Sequence, residues 1–102
     1  MFFIISIQQL EMMLDQSYPM LLLDLRSPQA YVRAHLAGAV NIPYSQLEES
    51  ILEPYRGRML VFYCEHGGKS MQAARDFAER GWNAYSLGCG ILYYRGKYMV
   101  SS

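Results

Sequence analysis

One segment limits the fold of this chain more than any other: a short apolar run, a cysteine, two glycines and an amphipathic helix follow one another without a break. Residues 59–63 (MLVFY) have the composition of a buried β-strand, and Cys64 comes directly after them. Gly67 and Gly68 predict a tight loop, and the apolar spacing after Ser70 predicts a helix. This order is typical of an α/β domain. It places Cys64 at the carboxyl end of a strand, where open α/β sheets bind ligands.

The loop that follows Cys64 has the composition of a cradle for an anion. Its glycines let backbone N–H groups approach the thiol, and the start of the helix adds unpaired amides and a positive dipole end. Such surroundings favour the thiolate, which is the nucleophilic form of cysteine. The alternative is a small buried apolar cysteine, but the glycine pair and Lys69 favour the reactive interpretation. His66 is either a general base or a solvated loop residue.

Length and composition exclude several classes of protein. The chain has 102 residues, 52% of them hydrophobic, which suffices for one domain over residues 1–102. Nine basic residues balance nine acidic ones without a basic cluster, so nucleic acid is not an expected partner. The apolar start, residues 1–7, is too short for a signal peptide or a membrane span. Cys64 and Cys89 lack the spacing of metal ligands. We therefore expect a cytoplasmic domain without metal, cofactor or membrane partner.

The rest of the chain alternates between short apolar runs and amphipathic segments. This alternation predicts right-handed crossovers and a mainly parallel sheet with helices on both faces. The predicted strands are residues 2–5, 20–25, 39–42, 59–63 and 83–87, and residues 83–87 are expected to be the last strand along the chain. Three helices are predicted from capping residues: residues 7–16 after a Ser6–Gln9 capping box, residues 28–34 after Ser27, and a helix that Ser45 caps and that runs to about residue 52, before Pro54. A fourth helix follows the loop and is expected to end at Gly81, and a brief fifth one is predicted at residues 91–94.

Four blocks of the sequence, in the same order, resemble the rhodanese-like domain family over nearly the whole chain. They are residues 23–26 with an Asp-x-Arg strand end, residues 31–43 similar to GHIxGAxNIP, residues 63–70 similar to the active-site loop C-x-x-G-x-R-S, and residues 87–91 similar to LxGGI. The chain departs from the family at Ala34 and Cys89, where glycine is usual, and at Lys69, where arginine is frequent. The resemblance implies a rhodanese-like fold, a five-stranded mainly parallel sheet with helices on both faces.

The resemblance also implies a sulfurtransferase that works through Cys64. The thiolate would take the outer sulfur of a sulfane donor such as thiosulfate, and the persulfide would pass it to a thiol, to cyanide or to a protein acceptor. Main-chain N–H groups of the loop are the expected donors to the persulfide, and Ser70 is expected chiefly to cap the helix. The residues of this substrate-binding loop are Glu65, His66, Gly67, Gly68, Lys69 and Ser70.

Several residues around the loop are expected to support it or to tune it. Asp24 and Arg26 are predicted to be an architectural pair, and His35 and Asn41 are predicted to hydrogen bond within loops. Glu65 adds a negative charge beside the cysteine, which should repel anionic donors and makes thiosulfate a doubtful physiological donor.

Cys89 and the overall activity each leave an alternative open. Cys89 is either a resolving thiol for Cys64 or a small residue accepted in a glycine position. The chain could also be a non-catalytic binding module or a sulfur relay with a protein partner, because a fold does not fix a function. Phosphatase activity is not expected, since Ser70 stands where the related phosphatases need arginine.

Overall fold

A central sheet of five parallel strands organises the computed structural model, which describes residues 2–101. Within these residues the strands are β1 (Phe3–Ile5), β2 (Leu21–Asp24), β3 (His35–Leu36), β4 (Val40–Asn41), β5 (Met59–Tyr63), β6 (Asn83–Leu87) and β7 (Met99–Val100). The parallel sheet has the order β1-β6-β5-β2-β4, so that β5 lies at its centre. The predicted fold class is confirmed.

The first two helices begin where the sequence places capping residues. Within residues 2–101 the α-helices are α1 (Ile7–Asp15), α2 (Pro28–Arg33), α3 (Glu49–Leu52) and α4 (Gly68–Glu79). Ser6 and Gln9 form the predicted capping box, with bonds of 3.1 and 2.8 Å. Ser27 Oγ accepts from the N–H of Ala30 at 3.2 Å, and Pro28 opens α2. In this described part of the chain, no helix is long and apolar enough to cross a membrane.

The helices cover both faces of the sheet. Because successive residues of a strand point to opposite faces, β5 contributes to both apolar layers. Phe77 of α4 and Leu52 of α3 pack on the face that carries Cys64. Leu10 of α1 and Tyr31 of α2 pack on the opposite face. The cysteine therefore faces α4, the helix that begins directly after its own loop.

The region around Ser45 corrects one prediction. Ser45 lies inside a 3₁₀ turn (Tyr44–Gln46) and caps no helix, and α3 starts behind Glu48 without a side-chain cap. The reason is tertiary: the N–H of Tyr44 donates to the carbonyl of Leu25 at 3.0 Å and ties this segment to the end of β2. The predicted helix end is confirmed, since α3 stops at Leu52, and Pro54 lies in a second 3₁₀ turn (Glu53–Tyr55) that follows directly.

The C-terminal segment corrects two more predictions. Residues 91–94 form turns instead of a helix, because the N–H groups of Ile91 and Leu92 donate to the carbonyls of Cys64 and Glu65, each at 3.1 Å. Residues 83–87 are also not the last strand, since β7 pairs antiparallel with β3. A two-residue pairing between distant segments leaves no periodic signal in the sequence.

The central strand gives a prediction for stability. Phe62 is fully buried between β2 and β6, so Phe62→Ala should lower the free energy of unfolding by about 3–5 kcal/mol. The matched change Val32→Ala, at an exposed position of α2, should stay within about 0.5 kcal/mol. Urea unfolding followed by the fluorescence of Trp82 measures both. Similar losses in the two variants would contradict the assigned core.

Candidate active site

Cys64 stands at the end of β5, at the floor of a cleft between that strand and the start of α4. The residue is 5% exposed, and the cleft has a volume of about 390 Å³. Its sulfur is thus close to the surface without being freely solvated. The other residues that line the cleft are Leu25, Arg26, Ser27, Ala30, Glu65, His66, Gly68 and Lys69.

Two backbone N–H groups of the loop donate to the sulfur. Cys64 Sγ accepts from Gly67 at 3.1 Å and from Ser70 at 3.3 Å. Gly67 is the N-cap residue of α4 and has a φ of 102°, a backbone conformation that favours glycine. Sγ therefore satisfies amides that a capping side chain usually takes, and it lies at the positive end of the helix dipole. Both effects favour a negative charge on the sulfur.

Ser70 does not cap the helix as predicted, because it lies in the first turn, three residues beyond the N-cap position. Its hydroxyl donates to the carbonyl of Gly67 at 3.0 Å and lies 2.8 Å from Ser86 Oγ. The distance between Ser70 Oγ and Cys64 Sγ is 3.5 Å. Ser70 thus contributes to the site through both its N–H group and its side chain.

The glycine-rich turn after β6 holds the loop in place by close backbone packing. A Cβ atom on Gly67 would collide with the carbonyl of Gly88, and one on Gly90 would collide with the carbonyl of Glu65. The N–H of Ile91 donates to the carbonyl of Cys64 at 3.1 Å. The two glycine-containing turns therefore fix each other.

Asp24 and Arg26 form a buried ion pair on the other wall of the cleft. Arg26 Nη2 lies 2.8 Å from Asp24 Oδ2, and Arg26 Nε and its backbone N–H also donate to this carboxylate. Burial alone would lower the pKa of Arg26, but the hydrogen bonds and the charge of Asp24 raise it above its ordinary value. The guanidinium also donates to the carbonyl of Ala34 at 2.6 Å, which joins the end of β2 to the end of α2.

Tyr63 extends this network into the core. Its hydroxyl donates to Asp24 Oδ2 at 2.7 Å and accepts from the N–H of Leu36 at 3.1 Å. Burial and the neighbouring Asp24 carboxylate raise the pKa of Tyr63. The polar network thus crosses from β2 through β5 to β3.

His35 and Asn41 make the loop hydrogen bonds that their positions predict. Asn41 Nδ2 donates to the carbonyls of Asp24 and Arg26, each at 3.0 Å. His35 Nδ1 lies 2.8 Å from the carbonyl of Tyr31, which assigns the proton to this nitrogen.

The mouth of the cleft carries charges of both signs. Glu65 Oε2 lies 3.8 Å from Arg26 Nη1, and the Glu65 side chain is 42% exposed. Lys69 and His66 are exposed, and Lys69 Nζ lies 5.9 Å from the centre of the Tyr44 ring. Glu65 therefore faces Arg26 Nη1, the guanidinium nitrogen that donates to neither Asp24 nor Ala34.

Cys89 does not lie with Cys64 in the cleft. It is exposed, its thiol donates to the carbonyl of Gly90 at 3.3 Å, and it lines a different hollow together with Ile4 and Met71. Both cysteines are free thiols. The structure therefore gives no geometric support to the resolving-thiol interpretation.

Sequence reasoning missed two polar residues of this region, Tyr63 and Ser86. Tyr63 on β5 is the register partner of Asp24 on β2, so aligning these two predicted strands by their polar ends would have placed the two side chains together. Ser86 lies two residues after buried Ala84, on the strand face toward α4, and a hydroxyl at such a position was an available signal.

Comparison with known proteins identifies the family. The sequence model of the rhodanese-like domain family matches residues 6–97 of this chain. A thiosulfate sulfurtransferase of Pseudomonas paraeruginosa is 33% identical over 74% of this chain and 69% of its own length. A tRNA sulfurtransferase of Desulfurococcus amylolyticus is 36% identical over 74% of this chain, which spans only 15% of that protein.

Solved structures agree with this match. A rhodanese-related protein of Thermoplasma volcanium superposes with a TM-score of 0.83 at 26% identity, covering 98% of this chain and 99% of the other. A rhodanese of E. coli, solved with anions, has a TM-score of 0.66 at 28% identity, covering 80% and 98%. The resemblance found in the four sequence blocks is confirmed, and the chain belongs to the family of rhodanese-like domains.

Proposed function

We propose that this domain is a sulfurtransferase that carries a sulfane sulfur as a persulfide on Cys64. One observation carries the proposal: Cys64 Sγ accepts hydrogen bonds from the N–H groups of Gly67 and Ser70 at the floor of an open cleft. Sulfur held in this way is stabilised as an anion and remains within reach of a small donor. The curated relatives named as sulfurtransferases support the same activity.

The reaction divides into two displacements at sulfur. The Cys64 thiolate attacks the outer sulfur of the donor, a new S–S bond forms, and the donor's own S–S bond breaks with its electron pair on the leaving group. With thiosulfate the leaving group is sulfite. An acceptor, either a thiolate or cyanide, then attacks the terminal sulfur of the persulfide and restores the Cys64 thiolate. Charge and electrons balance in each displacement. Two easier steps thus replace one difficult step.

The same loop suits the persulfide as well as the thiolate. A terminal sulfur on Cys64 would extend into the cleft, along the start of α4, where Gly68 and Lys69 form part of the lining. The first amides of a helix and its dipole favour an anion there. The chain's own groups thus stabilise the negative charge before and after the transfer, which keeps the two states close in energy.

Charge at the mouth of the cleft favours donors less anionic than thiosulfate. Glu65 faces Arg26 Nη1 at 3.8 Å and offsets the positive charge that would otherwise attract an anion. Lys69 is a flexible point charge and lacks the two-pronged grip of arginine. We therefore propose a persulfide of a small thiol as the preferred donor, and a thiol as the preferred acceptor.

A binding module without catalysis is the alternative that the site must be tested against. A module that only binds a partner does not need a cysteine sulfur that accepts hydrogen bonds from two backbone N–H groups beside a cleft. A relay to a protein acceptor uses the same Cys64 persulfide, so it differs only in the second displacement. Formation of the persulfide is therefore the step that separates transfer from binding.

Persulfide formation gives a direct test by intact-mass spectrometry. Incubation with a sulfane donor should add the mass of one sulfur atom to the wild-type chain. The variant Cys64→Ser should gain none, because it lacks the attacking thiolate.

The second cysteine provides the matched control for this experiment. Cys89→Ser should gain sulfur as the wild type does, since Cys89 lines another hollow. A full gain in Cys64→Ser, or its loss in Cys89→Ser, would show that the sulfur is carried elsewhere.

The charge of Glu65 gives a test of donor preference. Glu65→Gln should raise kcat/KM for thiosulfate roughly three- to tenfold at low ionic strength, because a negative charge beside Arg26 is removed. The gain should shrink in high salt as the charges are screened. A sulfite-release assay over a series of salt concentrations measures both effects.

Two controls separate attraction of the donor from a general change in the thiol. Glu79→Gln, at the far end of α4, removes the same charge at an exposed position away from the cleft and should leave kcat/KM unchanged. The rate of Cys64 alkylation by uncharged iodoacetamide reports any change in thiolate content. Each thiosulfate rate is divided by this alkylation rate to correct for such a change. If the corrected rate does not rise, Glu65 does not discriminate against anionic donors.

A further inference from the structure

Two hydroxyl groups lie in contact beneath the sulfur of Cys64, on different elements. Ser70 belongs to the first turn of α4 and Ser86 to β6, and both are fully buried. Their oxygen atoms are 2.8 Å apart. Ser86 is on the strand face that also carries Ala84, within the apolar layer under α4. A hydroxyl buried in such a layer loses hydration and needs a hydrogen-bond partner, and Ser70 supplies it.

Ser70 can turn its hydroxyl proton toward more than one acceptor. Its oxygen lies 3.0 Å from the carbonyl of Gly67 and 3.5 Å from Cys64 Sγ. The carbonyl of Gly67 also accepts the N–H of Met71 at 3.0 Å. Gly67 therefore keeps a partner when the Ser70 hydroxyl rotates away from it, so this rotation leaves no buried carbonyl unpaired.

We propose that Ser86 is a positioning residue for the Cys64 thiolate and acts through Ser70. With a neutral thiol, the S–H group donates to Ser70 Oγ. When the thiol loses its proton to solvent, Ser70 O–H turns to donate to the sulfur, and Ser86 O–H donates to Ser70 Oγ. The only covalent bond that breaks is S–H, whose proton goes to solvent and whose electron pair stays on the sulfur; between the two hydroxyl groups only hydrogen bonds change. The sulfur gains a third donor besides the N–H groups of Gly67 and Ser70.

Ser86 strengthens that donor in two ways. First, Ser86 donates to Ser70 Oγ, so the Ser70 proton is not used between the two serines and remains for the sulfur. Second, a hydroxyl group that accepts a hydrogen bond becomes a better donor itself. The neutral thiol gains no such help, because it uses Ser70 Oγ as an acceptor and shares that oxygen with the Ser86 hydroxyl. Ser86 thus stabilises the thiolate relative to the thiol, without contact with either the donor or the acceptor of the reaction.

Other titratable groups face the same sulfur, and the test must hold them constant. The charged or titratable residues that line its cleft are Arg26, Glu65, His66 and Lys69. Asp24 and Tyr63 stand behind Arg26 in the buried network, and the described part of β6 brings no charged side chain to this face. Each comparison is made in the wild type and again in a His66→Gln background, so that the imidazole at the mouth of the cleft contributes nothing to the difference.

The test is the pH dependence of Cys64 alkylation by iodoacetamide, followed by mass spectrometry of the Cys64 peptide so that Cys89 does not interfere. In Ser86→Ala the midpoint of the profile should move to higher pH. Below the midpoint the rate should fall roughly three- to tenfold, because the thiolate fraction drops with the lost hydrogen bond. On the plateau at high pH the rate should not fall, since a more basic thiolate is at least as nucleophilic.

A second pair of variants keeps the test independent of folding. Ser86→Thr and Ser86→Val have the same shape and differ only in the hydroxyl, so threonine should keep the wild-type midpoint and valine should show the alanine shift. In a Ser70→Ala background, Ser86→Ala should cause no further shift, because its effect passes through Ser70. Thermal unfolding of every variant is recorded alongside.

Two results would overturn the inference. An unchanged midpoint in Ser86→Ala, with or without a lower Tm, would give Ser86 a purely structural role. An equal shift with and without Ser70 would exclude the hydroxyl chain. The inference rests on Cys64 as the proposed nucleophile, but alkylation requires no sulfur transfer. Failure of persulfide formation and failure of the Ser86 effect are therefore observed separately.

Discussion

The hydrogen bonds from Gly67 and Ser70 to Cys64 Sγ are the contacts on which the rest of the site depends. They replace the side-chain cap that α4 otherwise lacks, so the start of the helix and the placement of the sulfur are one feature. A reactive sulfur in this arrangement is also a structural element. The hydrogen bonds to Sγ satisfy N–H groups at the start of α4 that would otherwise lack a partner, and the same bonds favour the thiolate.

Close backbone packing also holds this loop in place. The glycine-containing turns at 64–70 and 88–90 approach so closely that a side chain on Gly67 or Gly90 would not fit. On the opposite wall, the bidentate Asp24–Arg26 pair and the Tyr63 hydroxyl fix the end of β2. Separating the members of such a pair would leave an uncompensated buried charge, so the contact favours one arrangement of this wall. One wall of the cleft is thus held by backbone packing and the other by an ion pair, and its mouth carries the side chains of Glu65, His66 and Lys69.

This division separates the groups that hold the sulfur of Cys64 from the charged side chains that, in our proposal, select its donors. The donors to Sγ are mainly backbone N–H groups, which are insensitive to side-chain changes. The charges at the mouth belong to side chains that can vary without disturbing the fold, because exposed residues contribute little to stability. A family built on such a loop can keep one chemistry and change its donors. In this chain the carboxylate of Glu65 stands beside Arg26, and we propose that it moves the donor preference away from strongly anionic compounds.

The sequence by itself determined the sheet, the capping box at Ser6, the helix behind Ser27, and Cys64 at the end of a strand that precedes a helix. These features depend on local periodicity, on capping residues and on glycine positions, which the chain carries within a few residues of each other. Only the tertiary structure decided the rest. It excluded Ser45 as a cap, replaced the predicted helix at 91–94 with turns, and added β7 against β3.

The tertiary structure also removed Cys89 from the cleft and brought Ser86 next to Ser70. The physical reason is the same in each case. These contacts join residues that are far apart in the chain, and no local preference of either partner encodes which strand or turn will lie beside it.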